Sequence, residues 1–334
     1  MKKLINFSTD IFDTKRYSNN ADLKKFFGDL GFDGLELMRV GDDVNGIVCR
    51  DDVVGVHLRF FTTWMDLWTG NERRLLREFG DYSAVKEFYG GTTREALTQA
   101  FADNVTEQAE ASPEYFVFHV SECQLVESIL KKYHYNSEAV IDAAIGLVDS
   151  FSDVIRNLSV SSGGRTNAGK NSLPLLLFEN LWYPGMNMLE PDLTFRLLEK
   201  VKYPNTGVMF DIGHLLHTNT ALRTLDEAVD FVHGVLDLYE DLSFIKGAHL
   251  HQALNGAYSE ELTRSWTPPE GNYRERSLAA LSHIFNIDAH QPFLSCRVNE
   301  IIDRIQPGYL VIEQISSDRL EHARNLKAQL RYLK

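Results

Sequence analysis

Short apolar runs, each closed by a polar or turn residue, recur along the chain: LINFST (4–9), DGLELM (33–38), VVGVHLRF (53–60), YFVFHV (115–120), LPLLLFEN (173–180), TGVMFD (206–211), FIKGAHLH (244–251) and YLVIEQ (309–314). They show little of the in-and-out alternation of a half-exposed strand, so they read as strands buried on both faces, the habit of a parallel sheet. Most are separated by segments in which apolar residues recur with helical spacing, such as DLKKFFGDLGF (22–32), SEAVIDAAIGLVDSFSDVI (137–155) and DEAVDFVHGVLDLY (226–239). Strand and helix alternating eight times predict an α/β fold of the (β/α)8 TIM-barrel type.

The chain has 334 residues, against about 250 for a bare barrel. The surplus falls after the third strand, in a segment running from Phe61 to Phe101, and after the seventh, around RSWTPPEGNYRERS (264–277) and NIDAHQPFLSC (286–296). Both insertions follow a strand, so both are expected over the C-terminal face. No internal repeat, low-complexity tract or Gly/Ser/Pro-rich linker interrupts the pattern, and one domain over 1–334 is the simplest expectation.

Composition narrows the function. Hydrophobic residues make up 44% of the chain, enough for a substantial core. The net charge of −13 argues against nucleic acid as a partner, because affinity for a duplex comes largely from Lys and Arg neutralising phosphates. After Met1, Lys2 and Lys3 the apolar LINF is cut short by STD, too brief for a secretory segment, and no run approaches the ~18 apolar residues of a membrane span. Cys49, Cys123 and Cys296 are scattered and odd in number. A cytoplasmic protein with incidental thiols is expected, away from any membrane. Nothing in the sequence bears on oligomeric state.

The chemistry gathers at the strand ends. His57, His119, Glu179, Asp211 and Glu313 each close an apolar run, and His249 lies near the end of another. In a barrel those ends converge on one face. Singly, His57 and His119 could be satisfied core histidines, and Asp211 could simply cap a helix carrying His214 in its first turn. Glu179 after LPLLLF and Glu313 after YLVI are harder to explain structurally, because a buried carboxylate must be paired, protonated or bound to a metal. Alternation is expected to send one of His249 and His251 inward, His249 being favoured, with His251 in a supporting role. Asp288 and His290 in the last insertion add an oxygen and a nitrogen donor. Mixed imidazole and carboxylate suits Zn, Mn, Fe or Co. His134, His217, His233, His283 and His322 fall in helical or loop stretches and are set aside. GRTNAGKN (164–171) mimics a phosphate-binding loop, but Asn171 replaces the required hydroxyl and the stretch precedes a strand.

The ordered series His57, His119, Glu179-Asn180, Asp211-x-x-His214, His249, Asp288-x-His290 and Glu313 resembles the xylose isomerase-like TIM-barrel superfamily, over roughly residues 4–320. That superfamily includes sugar isomerases and epimerases and abasic-site nucleases of the endonuclease IV type. By resemblance to the epimerases, one divalent ion would be held by Glu179, Asp211, His249 and Glu313, with both glutamates moving protons. By resemblance to endonuclease IV, all nine residues, His57, His119, Glu179, Asp211, His214, His249, Asp288, His290 and Glu313, would hold about three ions. The expected cofactor is therefore one to three divalent ions, and the order of residues leans toward more than one.

The sequence ranks first a metal-dependent isomerase or epimerase acting on a sugar, sugar phosphate or related polyol, with Glu179 and Glu313 catalytic. A phosphodiester hydrolase comes next, and a non-catalytic ligand-binding barrel last. The aromatics Phe60, Phe61, Trp64 and Trp68 could stack on a substrate ring, but a lid packed on its own barrel is the expected role.

Overall fold

The computed structural model of the chain describes residues 1–41, 43, 46–161, 165–166, 169–170 and 173–334. Eight parallel strands close into a barrel: β1 (Lys2–Ser8), β2 (Gly34–Met38), β3 (Val53–His57), β4 (Tyr115–His119), β5 (Leu175–Glu179), β6 (Thr206–Asp211), β7 (Ile245–Leu250) and β8 (Tyr309–Ile312). Each pairs with its neighbours in chain order, and β8 closes on β1 with Lys2 opposite Tyr309. All eight expected strands are present. Several are shorter than their apolar runs: β3 stops at His57 instead of Phe60, and β5 starts after Pro174, which has no N–H for the ladder.

The expected helices form with their ends set by local chemistry. Asn20–Asp29 is capped by the Asn19 side chain and stops before Gly31, whose φ of 80° no helix accommodates. Leu225–Leu236 opens on a reciprocal capping box between Thr224 and Glu227. The insertion after β3 carries four helices, Met65–Thr69, Glu72–Phe79, Tyr82–Tyr89 and Arg94–Ala109; that after β7 carries Gly256–Ser265, Tyr273–Ile287 and Val298–Ile305. Of the stretch 164–171, Arg165–Thr166 pairs antiparallel with Gly169–Lys170, and positions 164, 167, 168 and 171 lie outside the described residues. It runs from a helix, Ser137–Ser161, into β5, the reverse of a strand–loop–helix phosphate site.

Two apolar layers position the site. The outer one, between barrel and helices, includes Phe101, Phe118 and Phe151, mutually packed at 5.2–5.6 Å. The inner one plugs the barrel with Leu4, Val54, Tyr115, Val117, Leu177, Met209 and Val311. Tyr115 fits because Gly55 beside it has no side chain: a Cβ there would stand 2.0 Å from the tyrosine ring. Two residues beyond Val117, Leu177, Met209 and Val311, the next inward side chains are His119, Glu179, Asp211 and Glu313. The plug is thus the floor of a polar centre.

Candidate metal centre

Strand register makes neighbours of the polar side chains. His119 lies opposite Glu179 and Asp211 opposite His249. All nine sequence-selected residues reach one place, and with His251 as a tenth their donor atoms fall into three groups: His57, His119 and Glu179; Glu179, Asp211, His249 and Glu313; and His214, His251, Asp288 and His290. Within each group every residue has a donor within 4.8 Å of the others.

In the first group His57 Nε2 lies 3.0 Å from His119 Nε2, and Glu179 Oε2 is 3.1 Å from the former and 3.0 Å from the latter. His57 Nδ1 donates to the Leu58 carbonyl at 2.8 Å, which leaves Nε2 without a proton of its own when the ring is neutral. Burial pushes the His119 imidazole below its ordinary range; burial also opposes protonation of His57, but the Glu179 carboxylate outweighs it and raises that ring.

The second group surrounds His249 Nδ1, which is 3.3 Å from Glu179 Oε1, 3.4 Å from Asp211 Oδ2 and 3.2 Å from Glu313 Oε2. Glu179 Oε1, Glu313 Oε2 and His249 Nδ1 are buried and make no hydrogen bond. Four donors so spaced but sharing no proton fit a common cation, since bonds of about 2.0–2.1 Å put tetrahedral ligands about 3.3–3.5 Å apart. Burial by itself would raise the Glu179 carboxyl; the His119 and His249 imidazoles reverse this and hold it well below the usual carboxylate range.

Asp211 satisfies both readings of its motif. One oxygen caps the short helix Ile212–Leu216 by accepting from His214 N–H at 2.5 Å, while the carboxylate also faces His249. Asn180 anchors it, accepting from Asp211 N–H at 2.8 Å and donating to Asp211 C=O at 2.9 Å. His214 Nδ1 donates to the Asn180 carbonyl at 3.1 Å, turning Nε2 to Asp288 Oδ2 at 3.3 Å. His290 Nδ1 donates to the Asp288 carbonyl at 3.0 Å, from a strained backbone with φ 44°. Second nitrogens tied to backbone carbonyls in this way fix which nitrogen an imidazole can offer a metal.

The expected division of His249 and His251 is corrected. His251 lies one residue past the end of β7 and two after His249, and it too turns inward and is fully buried. It packs between His290, with ring centroids 4.1 Å apart, and Gly213, where a Cβ would stand 2.0 Å from the imidazole. His217 is corrected as well: set aside as a helical residue, it is buried three positions after His214, and its Nε2 reaches Asp288 Oδ1 at 3.3 Å. The i, i+3 spacing was the available signal. Glu36, unmarked by sequence reasoning, stands 2.9 Å from His249 Nε2 and accepts the Tyr115 hydroxyl at 2.8 Å. A carboxylate in the middle of GLELM was its signal.

Glu36, Glu179, Asp211, Asp288 and Glu313 thus crowd one buried region. Among the described residues their side-chain partners are imidazoles, the Tyr115 hydroxyl and the backbone, with no Lys or Arg. Desolvated negative charge of this density calls for cations. Phe61, Trp64 and Trp68 are buried as a lid on their own barrel, whereas Phe60 stays 40% exposed with its ring 4.6 Å from His119.

No family model and no curated protein matches the chain. Solved structures do match. Among them are a sugar phosphate isomerase/epimerase from Parabacteroides distasonis and a xylose isomerase domain protein from Planctomyces limnophilus. The AsfvAP:AG structure is 10% identical, with 99% of this chain and 97% of that one covered and a TM-score of 0.48. D-allulose 3-epimerase from Methylomonas sp. is 13% identical, with 100% and 96% covered and a TM-score of 0.46. The IOLI protein with a bound zinc atom is 12% identical, with 99% and 96% covered and a TM-score of 0.43. Likeness at such identities and TM-scores says nothing about substrate or reaction.

Proposed function

We propose that the chain is a metal-dependent hydrolase of small phosphate esters or diesters, working with more than one divalent ion of the Zn, Mn, Fe or Co class. The observation that carries this reading is the placement of Glu179. Its Oε2 faces His57 and His119, and its Oε1 faces His249 within the group completed by Asp211 and Glu313. One carboxylate shared between two donor groups would hold two ions side by side. When bound, paired ions polarise a phosphoryl oxygen and ease the ionisation of water.

The chain's own residues supply the rest. His57, tied through Nδ1 to Leu58 C=O, and His249, flanked by Glu36, offer lone pairs in fixed directions. Glu313, His290, Asp288 and His119 have the most exposed side chains of the candidate donors, so substrate would approach over them, and Glu313 would take up or return a proton at its carboxylate. Phe60, exposed beside His119, walls that approach and would exclude water on the substrate side. The acidic balance of the chain directs the proposal to a small substrate instead of a nucleic-acid duplex.

A second reading rests on the Glu179, Asp211, His249 and Glu313 group, which is complete without the others. With a single ion there, the same centre suits the isomerase or epimerase of a sugar, sugar phosphate or related polyol, Glu179 and Glu313 exchanging the proton of the substrate carbon. The sharing of Glu179 between two donor groups favours the hydrolase over the isomerase or epimerase that the sequence ranked first.

Elemental analysis and two assays separate them. Purified protein grown with Zn, Mn and Fe available should hold at least two ions per chain. It should cleave bis(p-nitrophenyl) phosphate with a rate lowered by a factor of at least ~100 in Glu179→Gln. At most one ion, together with solvent deuterium entering a ketose, would establish the second reading and sink the first.

A further inference from the structure

The segments that leave β1, β2, β3 and β8 carry large apolar side chains that stand exposed. Phe12 is 65% exposed, Ile11 51%, Val40 45% and Phe60 40%, and Ile315 and Leu320 continue the set past β8. These four strands are consecutive in the closed sheet. Neighbouring strands stand about 4.8 Å apart, so the side chains form one arc over the C-terminal face. Two hydrogen bonds tie its loops together: Thr9 Oγ1 donates to the Val40 carbonyl at 3.1 Å, and the Arg16 guanidinium donates to the Ser316 carbonyl. At one end the arc meets the metal centre, where the Phe60 ring lies 4.6 Å from His119. An exposed apolar surface at the mouth of a polar centre marks a place for a bound apolar group.

The same loops carry cations that lack anionic partners. Lys15 Nζ lies over the Phe12 ring at 4.3 Å, Arg39 follows β2 directly and Arg59 comes two positions after His57. Among the described residues none of the three forms an ion pair, and Arg39 Nε is buried without a hydrogen-bond partner. In a chain of net charge −13, unpaired cations on three adjacent loops complement an anion.

We infer that the substrate is an amphiphile: a phosphate diester whose phosphate enters the metal centre and whose alkyl chain lies along Phe60, Val40, Ile11 and Phe12. The inference rests on the hydrolase reading and names its substrate class. Lys15, Arg39 and Arg59 would draw the phosphate toward the mouth, and the chain would supply binding energy remote from the bond that breaks. A dissolved single molecule fits this face better than a membrane, because an anionic bilayer surface repels so negative a chain.

The test uses the metal-loaded full chain and p-nitrophenyl alkyl phosphates from methyl to octyl, each below its micelle concentration. A methylene is worth about fourfold in binding when fully buried and about twofold when half buried, so kcat/KM should rise at least ~30-fold along the series. Phe12→Ser combined with Val40→Ser should cut that rise at least about fivefold. Leu238→Ser, exposed before β7 at the opposite end of the barrel, should leave the rise as in wild type. Equal kcat/KM for methyl and octyl esters would overturn the inference and leave the hydrolase reading standing. A rate that climbs only above the micelle concentration would assign the arc to a lipid surface and overturn the inference too. If no ester in the series is cleaved, the hydrolase reading falls, and calorimetry with methylphosphonate and octylphosphonate decides the arc. Octylphosphonate must then bind at least ~30-fold more tightly and lose that margin in the doubly substituted protein, or the inference falls as well.

Discussion

Glu36 stands 2.9 Å from His249 Nε2 and accepts the Tyr115 hydroxyl on its other oxygen. A carboxylate behind a ligating imidazole raises its basicity and holds its ring, so Glu36→Gln should weaken metal binding about 10- to 100-fold with the fold unchanged, as read by competition with a chelator. Equal affinities in the two proteins would reduce Glu36 to a packing element. The imidazoles also set a pH dependence. Burial opposes charge on His290, yet Asp288 and Glu313 overrule it and push its pKa up to about 9. In metal-free protein this raised value contributes stability that is complete below the ordinary value of 6.5 and lost as pH rises through about 9. A divalent ion must displace that proton. Metal binding should therefore release protons at pH 7 and tighten from pH 7 toward pH 9. Calorimetry in buffers of different ionisation enthalpy measures the release, and the same apparent heat in every buffer would count against it.

Among the elements, β3 and the short helix after β6 show how small residues govern the centre. Gly55 makes room in β3 for Tyr115, whose hydroxyl holds Glu36. Gly55→Ala should destabilise the protein by roughly 1–3 kcal/mol through overpacking of the barrel plug, seen as a lower denaturant midpoint. An unchanged midpoint would mean that the plug can shift without cost. Helix and strand identities were legible because apolar spacing is a local property. The exact ends were not: β3 leaves the sheet at His57, one residue before Leu58 turns its carbonyl to the ring, which depends on β4 beside it. The fate of Phe60 and Phe61 was equally tertiary. They are adjacent in sequence, yet one packs on Phe88, Tyr89 and Phe101 and the other stands over His119.

For the whole molecule, charge and metal make separate demands. A chain of net charge −13 lacks the basic surface that phosphate neutralisation requires, so duplex DNA, with or without an abasic site, should bind weakly at physiological salt. Tight, salt-sensitive retention in an electrophoretic shift assay would contradict this and extend the hydrolase reading to nucleic acid. Metal should be coupled to stability, because the folded barrel assembles donors that an unfolded chain scatters. Saturation at 100 times the dissociation constant adds about 2.7 kcal/mol per independent site. Stripping the ions should lower the melting temperature and readdition should restore it. No helix among the described residues is long and apolar enough to cross a membrane.

The alternation of apolar runs and helical segments determined the barrel, since eight strands buried on both faces have few other ways to be covered. Carboxylates and imidazoles closing those runs determined that a polar centre sits at one end, because charge in such positions needs a partner. What the sequence could not decide was how the donors divide. Three groups, with Glu179 in two of them, follow from the register that sets His119 opposite Glu179 and Asp211 opposite His249. Glu36, His217 and His251 joined the centre for the same reason. Glu36 lies within β2, His217 just past the helix Ile212–Leu216 and His251 just past β7, and only the tertiary fold places them within 3.3 Å of His249, Asp288 and Asp211. Sequence names the donors one strand at a time; curvature of the closed sheet brings them to a common point.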